Sequence, residues 1–401
     1  MTGQSDATPK KKKRIALFLD GTWNKVFDNT NVWRLKSLCA RQGPDGVDQV
    51  TYYNSGLGTL SGHRLLGGAF GYGIEADILE TYRRLLELYE VGDEIFIFGF
   101  SRGAFTARSL AGFVSFYGLL KPGAPLSIGQ LYRRYRDSAD KATVRDLQMS
   151  DPAHRKEPRN VEERWLRDYS RAVPIKMIGV WDTVGALGIP FGSIPGVSRK
   201  GFGFLHTGLR VSQENAYQAL AIDEHRKQFV PTLWTKHFPK GSSATELAAP
   251  RRVSCAEQRW FLGSHANVGG GCPDDFLAQI PLRWMLNRAA RHGLAFRDGV
   301  TVEPDVVRAK LEPSHRQFLR GVYRLVSSPH HRVIGAPPEE SDKGRDETIN
   351  ETIDGSVFQR WRDDPAYRPP SLTAWAARQN VDPAELTAAV LAADPRQVVP
   401  D

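Results

Sequence analysis

Residues 95–110, IFIFGFSRGAFTARSL, decide how the rest of the chain is read. Ile95 to Phe98 are four apolar residues of high strand propensity, ended by Gly99. Gly99-Phe100-Ser101-Arg102-Gly103 follows as a G-x-S-x-G pattern, and Ala104 to Ala111 continue it as a helix-forming run. A strand that enters a helix through one serine is a nucleophile elbow. The serine must sit on a strained turn, so the positions two before and two after it must lack side chains that collide with strand and helix. Gly99 and Gly103 meet that need as supporting residues. The pentapeptide alone also suits an ordinary structural turn; the strand before it and the helix after it favour a nucleophile at Ser101.

Strands and helices alternate outward from the elbow. RIALFLDGT (14–22) reads as a first strand ending in Asp20-Gly21-Thr22, and residues 31–40 as a helix with Asn31 available as N-cap. VDQVTYYNSG (47–56) is a second strand and 76–89 an amphipathic helix. Residues 121–172 are charged and aromatic, helical in part. PIKMIGVWDTVGALG (174–188) supplies a buried strand ending at Asp182. AYQALAIDEHRKQF (216–229) reads as a helix, RRVSCAEQRWFLGSHANVGGG (251–271) as strand and loop, and 281–292 as a helix. This order predicts an α/β class, an α/β-hydrolase-like, mostly parallel sheet with helices on both faces. The expected division is a flexible basic tail over 1–13 and a catalytic domain over 14–330, with insertions around 121–172 and 188–210. A linker and small helical appendage complete it over 331–401, because 330–370 is rich in Pro, Asp, Glu and Arg and SLTAWAARQNVDPAELTAAVLAADP (371–395) holds two short helical patterns.

With 401 residues, 41% hydrophobic and 25% charged, the chain has enough apolar material for a sizeable core. The net charge of +9 comes in part from Lys10-Lys11-Lys12-Lys13-Arg14. Such a run is ordinarily a solvated tail; the sharper reading is weak peripheral contact with an anionic membrane surface. The apolar stretch from Ile15 to Leu19 is too short for a secretory signal, and Ala111 to Leu120 too interrupted for a membrane span. Cytoplasmic synthesis is expected, with signal-independent secretion left open. Cys39, Cys255 and Cys272 form neither a disulfide framework nor a metal pattern. No nucleic-acid motif accompanies the positive charge, so no nucleic-acid partner is expected. Nothing in the sequence sets an oligomeric state.

A hydroxyl is a weak nucleophile, so a histidine must take its proton and a carboxylate must hold that histidine in one tautomer. In this fold the chain order is Ser, acid, His, each at a strand's carboxyl end. Asp182 fits the acid and His265, between RWFLG and a glycine-rich loop, fits the base. His154 precedes Asp182 and is out of order. His206 follows GFGFL, His225 lies among charges on the expected helix, and His237 sits in LWTKHF with no flexible loop behind it. The oxyanion hole is assigned to the Arg102 N–H and to the Gly21-Thr22 backbone, with Asp20 bracing that loop. No carboxylate cluster has metal spacing, so no metal and no cofactor is expected. GIPFGSIPGVSRKGFGFL (188–205) and the residues after it read equally as an apolar lid or a surface loop.

FLDGTWN followed by TNVWRL, then YYNSGLGT, GAFGYGI, GDEIFIFGFSRGAFTARSLAG, GVWDTVGALG, ALAIDEHRKQF and WFLGSHANVGGG lie in that order between about residues 14 and 290. Together they resemble the α/β-hydrolase domain family catalogued as domain of unknown function 2235, which includes catalytic domains of type VI secretion phospholipase effectors. The resemblance implies Ser101 as nucleophile with Asp182 and His265 as partners, and lipolytic or other ester-hydrolysing activity. A serine esterase or lipase acting on carboxylic esters, of lipids or phospholipids, is therefore the first expectation. A weak or inactive protein of the same fold, binding a ligand or membrane in the old pocket, is the alternative.

Overall fold

Seven strands of the chain pair side by side in parallel. The computed structural model describes residues 12–21, 29–56, 69–137, 142–185, 209, 212–240, 251–272, 274–312, 328–341 and 344–400. Numbered along the chain within the central sheet, the strands are β1 (Lys13–Leu19), β2 (Asp48–Asn54), β3 (Glu94–Phe100), β4 (Met177–Trp181), β5 (Ala216–Ala221), β6 (Ala256–Phe261), β7 (Glu351–Ile353), β8 (Val390–Leu391) and β9 (Asp394–Val398). The spatial order is β9-β8-β7-β6-β5-β4-β3-β1-β2. Neighbours from β2 through β7 run parallel, and β8 and β9 add an antiparallel edge.

The sheet is covered on both faces, which is why β1, β3 and β4 read as nearly continuous apolar runs rather than alternating ones. Ile15, Leu17, Leu19, Ile95 and Ile97 point into one core with α2 (Ala69–Leu88) and α3 (Arg102–Tyr117). Ala16, Phe18, Phe96, Phe98 and Phe100 point into the other, with α1 (Asn31–Leu38) and a helix over Gln279–Arg291. Burying each such large side chain stabilises the fold by about 1.5–3 kcal/mol. Phe18 and Phe98 stack across β1 and β3 with ring centroids 5.1 Å apart. The chain leaves β1 towards β2 on one side and leaves β3 towards β4 on the other, so a crevice opens at their carboxyl ends. The 121–172 insertion carries helices Ile128–Asp137, Val144–Gln148 and Val161–Tyr169 on the α2–α3 face.

Four expectations are corrected. AYQALAIDEHRKQF opens as strand β5, not a helix: its alanines favour helix, but the segment is hydrogen-bonded between β4 and β6, and tertiary pairing overrides propensity. His225 therefore lies in the loop after a strand. The N-cap of α1 is Thr30, whose hydroxyl accepts from the Trp33 N–H, while the Asn31 amide donates to the Val268 and Ala278 carbonyls, 2.9 Å each. The segment 331–401 is not a linker with an appendage. It contributes β7, β8 and β9, and the helices Gly355–Asp363 and Pro370–Gln379 place Val357, Phe358, Leu372 and Trp375 in the sheet's own core. The second of its two helical patterns is a short turn followed by β8 and β9. At the other end Lys13 already belongs to β1; its Nζ lies 2.6 Å from Asp93, and Lys12 pairs with Glu94 at 3.1 Å. Lys10, Lys11 and nearly all of 188–210 lie outside the described residues.

No helix among the described residues is long and apolar enough to cross a membrane.

Candidate active site

Ser101 sits where β3 turns into α3, with φ 58° and ψ −121°. A non-glycine residue in that region costs on the order of 1–3 kcal/mol and persists only where its surroundings over-determine it. Here the Ser101 N–H donates to the Trp181 carbonyl (3.0 Å) at the end of β4, and the Phe105 N–H donates to the Ser101 carbonyl (3.2 Å). Gly99 and Gly103 let strand and helix close on each other: a Cβ on Gly99 would lie 2.5 Å from the Gly103 carbonyl oxygen.

Asp182 follows β4 and has positive φ, 40°. Its N–H donates to the Ala219 carbonyl on β5 (2.7 Å), and its side chain is wholly buried. His265 follows β6 as the first residue of a short helix, His265–Gly269, whose N-cap Ser264 forms a capping box with Asn267. The imidazole is buried between the rings of Phe100 (centroids 4.6 Å apart) and Phe229 (5.0 Å).

The three side chains form one hydrogen-bonded chain. His265 Nδ1 is 2.6 Å from Asp182 Oδ2, and His265 Nε2 is 2.9 Å from Ser101 Oγ. A carboxylate only accepts, so Nδ1 carries the proton and Nε2 is left to accept from the serine hydroxyl. Burial alone would push the Asp182 carboxyl up, but the charge of Arg332 and the hydrogen bonds from His265 and Arg332 more than offset it and hold the carboxyl well below the usual range. Burial lowers the His265 imidazole below its ordinary value, against the opposing pull of Asp182. Near neutral pH the arrangement is therefore carboxylate, neutral imidazole and hydroxyl.

Two buried ionic groups at the site escape sequence reasoning. Arg332 grips Asp182 with both terminal nitrogens, Nη1 donating to Oδ1 at 2.6 Å and Nη2 to Oδ2 at 2.9 Å. It lies in the stretch expected to be a linker, and no local pattern marks it. Glu224, fully buried, accepts from the His265 N–H (3.3 Å) and pairs with Arg226 (2.8 Å). Burial would raise its carboxyl, yet the contact with Arg226 brings it down to about 2.

The expected oxyanion donors fare differently. Arg102 opens α3, at the positive end of that helix's dipole. The Gly21 N–H donates to Asp20 Oδ1 at 2.8 Å. Thr22 lies outside the described residues. Asp20 Oδ2 accepts from the Thr30 hydroxyl (2.5 Å) and the Tyr53 hydroxyl (2.9 Å), so its carboxylate ties the end of β1 to α1 and β2.

The other histidines stand apart from this chain. His154 bonds Asp151 on the surface (2.6 Å), His237 bonds Asp346 (3.1 Å), and His225 packs edge-on against His331. His206 lies outside the described residues. Among the described residues no group of three His, Cys, Asp or Glu is arranged to hold a metal ion. Burial pushes the Cys39 thiol up to about 12 and the Cys272 thiol up to about 11, so neither is a ready thiolate. A cavity of about 650 Å³ lined by Arg259, Trp284, Glu303, Asp354 and Gln359, among others, includes none of Ser101, Asp182 and His265.

Residues 13–288 match the family described as the catalytic domain of Tle1-like phospholipase effectors of the type VI secretion system. An uncharacterized protein of Saccharomyces cerevisiae, YEL023C, is 29% identical over 194 residues, which is 44% of this chain and 27% of that protein. An uncharacterized protein from Pseudomonas aeruginosa aligns over 80% of this chain and 52% of its own, at 17% identity and a TM-score of 0.45. A Tle1 effector, solved bound to the VgrG spike of the type VI secretion system, aligns over 65% of this chain and 51% of its own, at 20% identity and a TM-score of 0.34. The chain thus spans about a quarter of the yeast relative and about half of each solved chain. On the match over 13–288, the chain belongs to the Tle1-like phospholipase effector catalytic-domain family.

Proposed function

We propose that this chain is a serine hydrolase of carboxylic esters, acting on lipid or phospholipid esters. Ser101 Oγ attacks the ester carbonyl while His265 Nε2 takes its proton, and Asp182 holds the imidazole's tautomer and stabilises the imidazolium. The tetrahedral intermediate collapses to an acyl-Ser101 ester as His265 returns the proton to the departing alcohol. Water, deprotonated by His265, then releases the fatty acid. The Arg102 N–H, at the positive end of α3, faces the developing oxyanion; such a donor is worth about 3 kcal/mol of transition-state stabilisation. The observation that carries the reading is the unbroken chain from Ser101 through His265 to Asp182, at 2.9 and 2.6 Å. Membership of a phospholipase effector family supports a lipid ester over a small soluble one.

Fluorophosphonate labelling tests the nucleophile, and p-nitrophenyl esters of rising acyl length, set beside phospholipid vesicles, test the substrate. Labelling lost in Ser101→Ala, with turnover that rises with acyl length or is high on phospholipid, is expected. A folded protein that neither labels nor turns over any ester would overturn the proposal and leave a binding module of the same fold.

A further inference from the structure

Among the described residues the Arg332 guanidinium makes four hydrogen bonds, two of them to the acid. Besides Asp182 Oδ1 and Oδ2, it donates to the Ala221 carbonyl at the end of β5 (2.7 Å) and to the Phe229 carbonyl (2.5 Å). The Phe229 ring stands against the His265 imidazole. One side chain, 1% exposed, thus ties together the acid, a strand end and a wall of the imidazole's slot. Arg332 comes from a segment beyond the 13–288 family match, held to the C-terminal strands and helices. The Gly335 N–H donates to Glu351 on β7 (3.0 Å), and Arg378 donates to the Ile334 carbonyl (2.5 Å). The His330 N–H donates to the His225 carbonyl (2.8 Å).

We infer that Arg332 is a positioning residue, which fixes the Asp182 carboxylate for His265 and makes the C-terminal segment part of the active site. The inference rests on the hydrolase reading for its consequence in rate. Its physical content, the geometry and titration of the Asp182–His265 pair, does not. A carboxylate with a planar fork on both oxygens has one orientation, and lysine, a point charge, cannot reproduce it. The ionic groups around the imidazole are Asp182 after β4, Glu224 and Arg226 after β5, and Arg332 from the C-terminal segment. Removing Arg332 takes a cation from that set and leaves Asp182 more basic, so the imidazolium becomes easier to form.

The test compares wild type, Arg332→Lys and Arg332→Ala in the full chain. It reads the His265 imidazole titration and the Nδ1–H resonance by NMR, and kcat and KM on a soluble ester. In Arg332→Ala the titration should move up by about one pH unit. In both variants kcat should fall by about 100-fold with KM little changed, the cost of a misplaced catalytic pair. Added guanidinium should restore part of the Arg332→Ala rate. If wild type hydrolyses esters and a folded variant keeps its rate, its titration and its Nδ1–H signal, the positioning role is overturned and the hydrolase reading survives. If wild type hydrolyses nothing but Arg332→Ala moves the titration, the positioning role stands and the hydrolase reading falls. Failure of both variants to fold would make Arg332 a residue of stability alone and overturn the inference.

Discussion

Gly103, in the first turn of α3, stands directly against the Asp20 backbone at the end of β1: a Cβ there would lie 2.6 Å from the Asp20 carbonyl oxygen. The nearer Leu19 carbonyl blocks the same space. Both atoms are backbone at the carboxyl end of β1, so they cannot give way as a flexible side chain would. Gly103→Ala should therefore cost about 2–3 kcal/mol by overpacking and should lower turnover, because any relief of the clash moves the turn that carries Ser101. A thermal midpoint and rate equal to wild type would contradict this.

Ser101 carries strain that its own replacement can report. Ser101→Ala should abolish ester hydrolysis and leave thermal stability nearly unchanged, since alanine is equally disfavoured at φ 58°. Ser101→Gly should be just as inactive yet more stable by about 1 kcal/mol, the strain relieved less the entropy that glycine loses on folding. Near-wild-type turnover in a folded Ser101→Ala protein would end the mechanism proposed here.

The pH profile follows from the two shifted groups. Burial places the His265 imidazole below its ordinary value of 6.5. Only the neutral imidazole can take the Ser101 proton, so kcat/KM should rise with pH through an inflection below 6.5 and stay level across neutrality. Asp182 is already ionised over that range and should add no second inflection. Glu224, whose charge favours the imidazolium, acts in the opposite sense to burial. Glu224→Gln should move the inflection to still lower pH, and a shift to higher pH would show the sign to be wrong.

The legible parts of this site share a physical trait. Ser101, Asp182 and His265 each follow a short apolar run bounded by glycine or a polar residue, so strand and strand end can be read from a few neighbours. Arg332 has no such frame. Its place is set by contacts with residues more than a hundred positions away, at Asp182, Ala221 and Phe229. β5 fails for a related reason, because AYQALA has a helix former's composition and becomes a strand only through β4 and β6. β7 is just three residues long, too short for any periodicity, yet it carries the C-terminal segment into the sheet.

That integration has a measurable consequence at Trp375. Its ring is fully buried in the core shared with Trp260 and Phe261, and its Nε1–H donates to the Ala392 carbonyl at 2.7 Å. Trp375→Ala should cost about 3–5 kcal/mol of global stability, far more than a substitution in an appendage. Unfolding should remain one transition followed by both far-UV and near-UV signals. A separate low-temperature transition that leaves esterase activity intact would show that the C-terminal segment folds on its own.

The Asp182–Arg332 pair also predicts a pattern in stability distinct from its pattern in rate. Both side chains are essentially inaccessible, at 0% and 1% exposure, so removing one charge strands the other away from water. Breaking a buried pair in this way costs about 3–5 kcal/mol, whereas replacing both members by neutral groups of similar size is often close to neutral. Asp182→Asn and Arg332→Met should therefore each lower the thermal midpoint sharply, and the double variant should recover much of the loss. Activity should follow another course: the double variant, however stable, has no carboxylate for His265 Nδ1 and should keep only the residual rate supplied by the oxyanion donor and substrate binding. Additive losses of stability in the double variant would mean that the two charges do not interact as their 2.6 Å separation requires.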